Sequence, residues 1–278
     1  MSHHAQDLPL GQTVSYPQAY DATLLFPIAR AGARHEIGLS GQALPFNGWD
    51  LWNAYEMSWL NSKGLPQVAL LRIKVPCSSP NIIESKSFKL YLNSFNQTRF
   101  DSKTEVLACL QKDLSQAAGS ALSIEMFDAH QFESEEISEF NGINIDGLDV
   151  LIEHYEPNAE LLTHSGDSHE HTTQTLFSRL LKSNCPVTQQ PDWACVQIQY
   201  TGRMIDQANL LKYIVSFRMH NGFHENCVER IFADIMQRCH PESLSVLARY
   251  TRRGGLDINP WRATPGMPEP SVVRSARQ

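Results

Sequence analysis

The chain has 278 residues, 42% of them hydrophobic and 19% charged, which is the balance of a globular protein with room for two domains or one large one. A net charge of −7 argues against sequence-independent binding to a nucleic-acid backbone and favours a small-molecule partner. No apolar run approaches the length a bilayer requires, and Met1-Ser-His-His-Ala5 lacks the basic-then-apolar layout of a secretory signal, so the expected address is cytoplasmic with no membrane partner.

Residues 1–65 are rich in turns and rings: Tyr16-Pro17, Phe26-Pro27 and Pro45-Phe-Asn-Gly-Trp-Asp-Leu-Trp52. Such a stretch is expected to wrap a sheet, burying rings without regular periodicity. Pro66 then opens an alternating run, Val68 to Val75, which reads as a strand, and Phe88 to Phe95 reads as another. Ser102 followed by Glu105 is a capping-box pattern ahead of an apolar helical stripe, and Ala121–Phe127 returns to strand character. The second half repeats this plan. Pro191 opens Trp193 to Tyr200, Leu211 to Arg218 follows as a strand, Cys227 to Met236 as a helix and Leu244 to Tyr250 as a strand. In that alignment Tyr91, Ser94 and Phe95 fall on Tyr213, Ser216 and Phe217, and Glu84 falls on Asp206. The matching order predicts a duplicated α+β module.

Between the halves, Thr163 to Thr173 is polar, and its His164, Asp167, His169 and His171 are read as a solvated loop, since no regular element would fix four metal ligands. The six cysteines at 77, 109, 185, 195, 227 and 239 form no CxxC pair, which points to reduced thiols and to neither a zinc ribbon nor a dithiol redox site. Five sit in apolar or amphipathic patterns and read as small hydrophobes. Cys185 differs. It lies in Ser183-Asn-Cys-Pro186, where the proline pushes the chain away from helix, and a cysteine on such a turn is expected to be exposed. With Asp192 as an acid–base partner seven residues on, it is a candidate nucleophile, the alternative being an incidental loop thiol.

His224-Glu225 after Asn221-Gly-Phe223 is either plain helix-start chemistry or a pocket floor, with a ring to stack, a carboxylate to accept N–H groups and a proton shuttle. Glu84-Ser-Lys-Ser87 precedes a predicted strand, and Arg252-Arg-Gly-Gly255 follows one; basic residues beside glycines admit phosphate oxygens, or are solvated charged turns. No GxGxxG or Walker loop is present, so any nucleotide is held outside a Rossmann module.

Together these segments resemble the NADPH-dependent 7-cyano-7-deazaguanine reductases of queuosine biosynthesis, in the long two-module form. The carrying motifs are Glu84-Ser-Lys-Ser-Phe-Lys-Leu-Tyr91, Ser183-Asn-Cys-Pro186 with Gln190-Pro-Asp-Trp193, Ser216-Phe-Arg218 with Phe223-His-Glu225, and Arg252-Arg-Gly-Gly255. Tyr20-Asp21, Leu24-Leu-Phe-Pro27 and Trp52-Asn-Ala-Tyr-Glu56 also match. The resemblance implies tandem tunnelling-fold modules, each an antiparallel sheet with helices on one face. The expected division is a wrapping segment at 1–65, modules at 66–140 and 181–278, a connector at 141–180, and a homodimer. It also implies that the site draws on both modules and distributes the roles. Cys185 captures the nitrile, Asp192 protonates nitrogen and His224 is an auxiliary proton source. Glu84 and Glu225 accept the donor edge of the deazaguanine, Phe223 packs on the ring, and Ile82 and Ile83 line the pocket. Ser85, Lys86, Arg253 and Gly254 hold NADPH, and no metal is required. Two rivals remain open: a zinc-dependent cyclohydrolase of the same fold acting on a guanine nucleotide, and a non-catalytic deazaguanine- or tRNA-binding module.

Overall fold

The computed structural model describes residues 16–39, 43–166 and 171–278. Met1–Ala5, Asp167 and His169 lie outside the described residues. In chain order the elements are β1 (Pro27–Ala29), α1 (Arg30–Glu36), β2 (Asn47–Leu60), β3 (Pro66–Pro76), β4 (Asn81–Ile83), α2 (Ser85–Ser94), α3 (Lys103–Ala118) and β5 (Ser123–Asp128). There follow β6 (Ile143–Asn144), β7 (His171–Asn184), β8 (Pro191–Arg203), α4 (Gln207–Ser216), α5 (His224–Cys239), β9 (Ser243–Tyr250) and β10 (Leu256–Ala263). The protein is α+β with predominantly antiparallel sheets. Its chain divides into two compact units, one of residues 1–32, 50–136 and 252–257, the other of 33–49, 137–251 and 258–278. No helix among the described residues is long and apolar enough to cross a membrane.

In the first unit β3 lies between β5 and β2, with Leu71 opposite Met126 on β5, and the short β1 pairs with β4. The rings of Trp52, Phe88, Tyr91 and Phe95 fill its core. Two expectations fail here. Residues 47–60, read as irregular wrapping, form a fourteen-residue strand; it is buried on both faces through its middle, so no alternation marks it. The run Phe88 to Phe95 is not a strand but most of helix α2. Its apparent alternation of Phe88, Leu90 and Leu92 coincides with a helical stripe of Phe88, Tyr91, Leu92 and Phe95. Glu84 decides between the two by capping the helix, its carboxylate accepting from the backbone N–H of Lys86 (2.8 Å) and Ser87 (2.7 Å).

The second unit repeats the device and the correction. Leu211 to Phe217 belongs to helix α4, capped by Asp206, which accepts from the Asn209 N–H at 2.8 Å. The aligned residues then do the same work in both units. Tyr91 donates to Asp113 on α3 (2.8 Å), and Tyr213 donates to Asp234 on α5 (2.6 Å). Ser94 and Ser216 each donate to the carbonyl of that tyrosine at 2.6 Å. Phe95 and Phe217 meet the tyrosine rings edge-on, centroids 5.2 and 5.4 Å apart. The duplication is therefore real, but it is a helix-pair duplication. The capping pattern at Ser102 also holds, with Ser102 accepting from the Glu105 N–H.

The second unit's strands run in the order β10-β9-β8-β7-β6, antiparallel except for the two-residue β6, which is parallel to β7. Strand β7 begins at His171, inside a polar stretch without strand character of its own; pairing with β8 along nearly its whole length, with one bulge between Ser178 and Leu181, imposes the conformation. Of the connector's histidines, His164 hydrogen-bonds the Cys239 carbonyl (3.0 Å) and His171 meets Glu242 (2.8 Å) at the surface. A buried ion cluster ties α1, α5 and β10 together. Glu229 accepts from Arg34 (2.7 and 2.9 Å) and from Arg262 (2.9 and 3.0 Å), with Glu229 and Arg262 wholly enclosed.

Candidate active site

The end of β7 and the start of β8 form a hairpin in which Ser183 lies opposite Asp192 and Asn184 opposite Pro191. Its loop closes on Cys185: the Cys185 N–H donates to the Gln190 carbonyl (2.9 Å), and the Gln189 N–H donates back to the Cys185 carbonyl (3.0 Å). Cys185 is nevertheless buried, only 6% exposed, contrary to the exposure expected of a turn cysteine. The reason is a third strand-like segment. Asn184 donates to the His220 carbonyl (2.8 Å) and accepts from the Gly222 N–H (3.0 Å), which lays residues 220–222 along the hairpin and covers it. Lys182 secures the same junction, donating to Asn184 Oδ1 and to the Arg218 carbonyl. Burial and the neighbouring Arg218 push its ammonium pKa down.

Residues directly opposite in an antiparallel pair share a face, as do residues two apart on one strand. Asp192, Ser183, Ala194 and Tyr250, which pairs with Ala194, therefore project from the same face. Over that face comes the first turn of α5. His224 Nε2 stands 3.5 Å from Asp192 Oδ2, and His224 Nδ1 stands 3.2 Å from the Ile258 carbonyl. The imidazole lies flat on Tyr250, centroids 3.7 Å apart and planes 4° from parallel. A carbonyl oxygen only accepts, so Nδ1 carries a proton. Nε2 faces the Asp192 carboxyl group, so the two form a carboxyl–imidazole pair. The pair sits in a buried setting, Asp192 being 4% exposed.

Glu225 is buried one residue further along the helix, and Phe223 occupies the N-cap position without supplying a side-chain cap. Cys227, on the next turn, is fully buried, and burial pushes its thiol up to about 12. It remains a neutral thiol, as do the buried Cys195 and Cys239, both also raised by burial. The second unit thus carries Cys185 and Asp192 on one hairpin and brings His224 against Asp192, with Glu225 next on the helix. Sequence reasoning missed Tyr250, which enters only through the β8–β9 register.

The remaining candidates belong to the first unit. Ile82 and Ile83 are buried on β4, Glu84 is wholly buried as the α2 cap, and Ser85 and Lys86 are half-buried in the helix's first turn. Arg253 to Leu256 is a tight turn closed by two backbone hydrogen bonds, with Gly254 and Gly255 at φ +57° and +71°. Two successive left-handed residues make the turn type that favours glycine at both positions. The aliphatic stem of Lys89, a second missed residue, runs past Gly254, where an added Cβ would lie 3.4 Å from it. Arg252 packs over Tyr55 (4.2 Å), which donates to Asp257 (2.5 Å). Lys89 thus stands beside Gly254, while the Glu56 side chain packs against Gly255, where an added Cβ would lie 2.3 Å from its carboxyl carbon. Among the described residues no group of three or more His, Cys, Asp and Glu is arranged to hold a metal ion.

Comparison with known proteins gives a consistent answer over the whole chain. Residues 16–126 match a family model described as nitrile reductase, 7-cyano-7-deazaguanine-reductase N-term, and residues 191–268 match one described as QueF-like protein. Cys185 falls between the two matches. The NADPH-dependent 7-cyano-7-deazaguanine reductase of Bordetella avium is 59% identical over 272 residues, covering 98% of each chain. Proteins of the same description from Burkholderia multivorans and Burkholderia orbicola are 56% and 55% identical, each covering 97% of this chain and 98% of their own.

Proposed function

The chain belongs to the family of NADPH-dependent 7-cyano-7-deazaguanine reductases, and from that premise we propose that it reduces the nitrile of 7-cyano-7-deazaguanine to the aminomethyl group, with Cys185 as the capturing nucleophile. The observation that carries the assignment of roles is the approach of His224 Nε2 to Asp192 Oδ2 at 3.5 Å, Asp192 lying on the hairpin that also bears Cys185. A nitrile carbon accepts a nucleophile only as its nitrogen gains a proton, and covalent capture splits the reduction into easier steps. The Cys185 sulfur forms a bond to the nitrile carbon as the Asp192–His224 pair protonates nitrogen, giving a thioimide whose C=N bond is open to reduction. Once that carbon is reduced, the C–S bond breaks and the Cys185 thiolate leaves, freeing an imine for the second reduction. Each nitrile takes up two hydrides and two protons. NADPH, when bound, supplies the hydrides.

Glu225 and Glu84 are proposed to accept from the donor edge of the base, with Phe223, Ile82 and Ile83 against its apolar surface. Glu84 already accepts two helix N–H bonds, and a carboxylate has further lone pairs to offer. Ser85, Lys86, Arg253 and Gly254, with Lys89 added, are proposed to meet the phosphates and ribose of NADPH, since Gly254 and Gly255 turn the chain back beside the Lys89 stem and Arg252 and Arg253 lead into that turn. The same reading carries a cytoplasmic homodimer, acting on the free base and serving tRNA queuosine synthesis.

The test is direct: protein, 7-cyano-7-deazaguanine and NADPH are mixed and absorbance at the nicotinamide band is followed. Two NADPH should be consumed per nitrile. Cys185→Ala should abolish oxidation and also lose the substrate adduct seen by intact mass. A wild-type protein that oxidises no NADPH, or a Cys185→Ala variant that still does, would sink the proposal.

A further inference from the structure

The groups around His224 each constrain it differently. Asp192 on β8 and the Ile258 carbonyl on β10 engage its two nitrogens, Glu225 and Cys227 flank it along α5, and Tyr250 on β9 lies under its face. The contact to Asp192 at 3.5 Å and the hydrogen bond to the Ile258 carbonyl at 3.2 Å are long and leave the ring plane free to tilt. Rotation about the imidazole's χ2 is soft, so nothing within the side chain prevents that tilt. The phenol does. With planes 4° apart at 3.7 Å, the two rings are in van der Waals contact over their whole surface, and tilting either would press an edge into the other.

The phenol is itself immobile. Tyr250 is 1% exposed and paired in the sheet opposite Ala194, and its N–H donates to Asn259 Oδ1 at 3.0 Å. Asn259 Oδ1 is held in turn by Gln278 Nε2 at 2.7 Å. Burial keeps the phenol neutral, so its face toward the imidazole does not change charge over the working pH range. We propose that Tyr250 is a positioning residue for His224: its ring is the floor that fixes the imidazole plane and aims Nε2 at Asp192, so that a proton is delivered along one path.

This inference rests on the nitrile-reductase reading, and the test separates the two. Wild type, Tyr250→Phe and Tyr250→Leu are compared for NADPH oxidation with 7-cyano-7-deazaguanine, with melting temperature as the check on folding. Phe keeps the floor, so kcat should stay within about threefold of wild type. Leu removes it, and kcat should fall roughly 10- to 100-fold with KM within about twofold, because a proton donor is misaimed while the binding groups stay in place. If the Leu variant does not fold, Tyr250→Met fills similar space without a ring and takes its place. A second readout is chemical rescue. Buffer imidazole should restore part of the activity of His224→Ala, and should fail to do so in His224→Ala carrying Tyr250→Leu or Tyr250→Met. An inactive wild type removes the nitrile-reductase reading. An active wild type with unchanged kcat in a folded Leu or Met variant overturns the role of Tyr250 alone. So does a Phe variant as slow as Leu, or equal imidazole rescue with and without the tyrosine.

Discussion

Glu229→Gln tests what holds the helix that carries His224. Glu229 lies between two guanidinium groups, Arg34 at 2.7 Å and Arg262 at 2.9 Å, and its side chain is 1% exposed. At an effective dielectric near 20, each ion pair at contact is worth about 4 kcal/mol, or roughly 8 kcal/mol gross for two. Removing the carboxylate also removes its own burial penalty, which is several kcal/mol, so the net loss should be about 4 kcal/mol. The amide makes matters no better, because its NH2 must face one arginine donor with another donor. For a chain of this size that loss lowers the melting temperature by roughly 8 °C. Arg238→Gln is the matched control. It breaks a two-point pair with Glu160 (2.7 and 3.0 Å) on the same helix but at the surface, and should move the melting temperature by no more than about 2 °C. The assay is calorimetry at neutral pH. If Glu229→Gln melts within 1–2 °C of wild type (roughly the size of the control shift), the cluster contributes no net stability and the reasoning fails.

The other expectations concern pH and the duplicated helix pair. Burial, with Arg230 nearby, lowers the His220 pKa from 6.5 to about 4, so the folded state resists a proton the unfolded state takes up. The stability this confers is present above about pH 6.5 and is lost as pH falls toward about 4. His220→Gln should therefore show a shallower fall in melting temperature across that window, and an unchanged slope would refute the assignment. Tyr213→Phe strips the phenol donor from half-buried Asp234, whereas Tyr91→Phe leaves Asp113 still accepting from Tyr20 at 2.5 Å. Urea denaturation should give a loss of roughly 2 kcal/mol for the first and about 1 kcal/mol for the second; the reverse order would contradict the hydrogen-bond account.

Much of the architecture was legible because some signals are local. Pro66 and Pro191 do open strands, Ser102 does cap a helix, and His224 does begin one. The misread elements are those where two periods fit the same residues. Phe88, Leu90 and Leu92 alternate, but Phe88, Tyr91 and Phe95 also form a helical stripe, and only the capping role of Glu84 separates the two. Capping by Glu is uncommon beside Ser, Thr, Asp or Asn, so the signal was easy to overlook. Strand β7 is invisible in its polar first half because its partner, not its composition, makes it a strand. The candidate site divides in the same way. Cys185, Asp192 and His224 stand out in the sequence as reactive types at turns and helix starts. The burial of Cys185 and the stack on Tyr250 depend on pairings across the sheet, with residues 220–222 and with Ala194, that no local pattern encodes.

The duplication also shows where the two copies part. Both units cap their first helix with a carboxylate, Glu84 or Asp206, and both lock it to the second helix through a tyrosine and an aspartate. They part at the start of the second helix. In the first unit Ser102 caps α3 and Lys103-Thr104 opens it, so the helix start is consumed in its own stabilisation. In the second, Phe223 supplies no side-chain cap, and the first turn of α5 instead carries His224 and Glu225 over the Asp192 face. Omitting an N-cap hydrogen bond costs on the order of 1 kcal/mol. The Glu229 cluster anchors the same helix to Arg34 and Arg262 just beyond its first turn. A helix start released from capping and a buried ion pair holding the helix in register are thus two parts of one arrangement. In the first unit the position corresponding to His224 is Lys103, directly after the Ser102 cap.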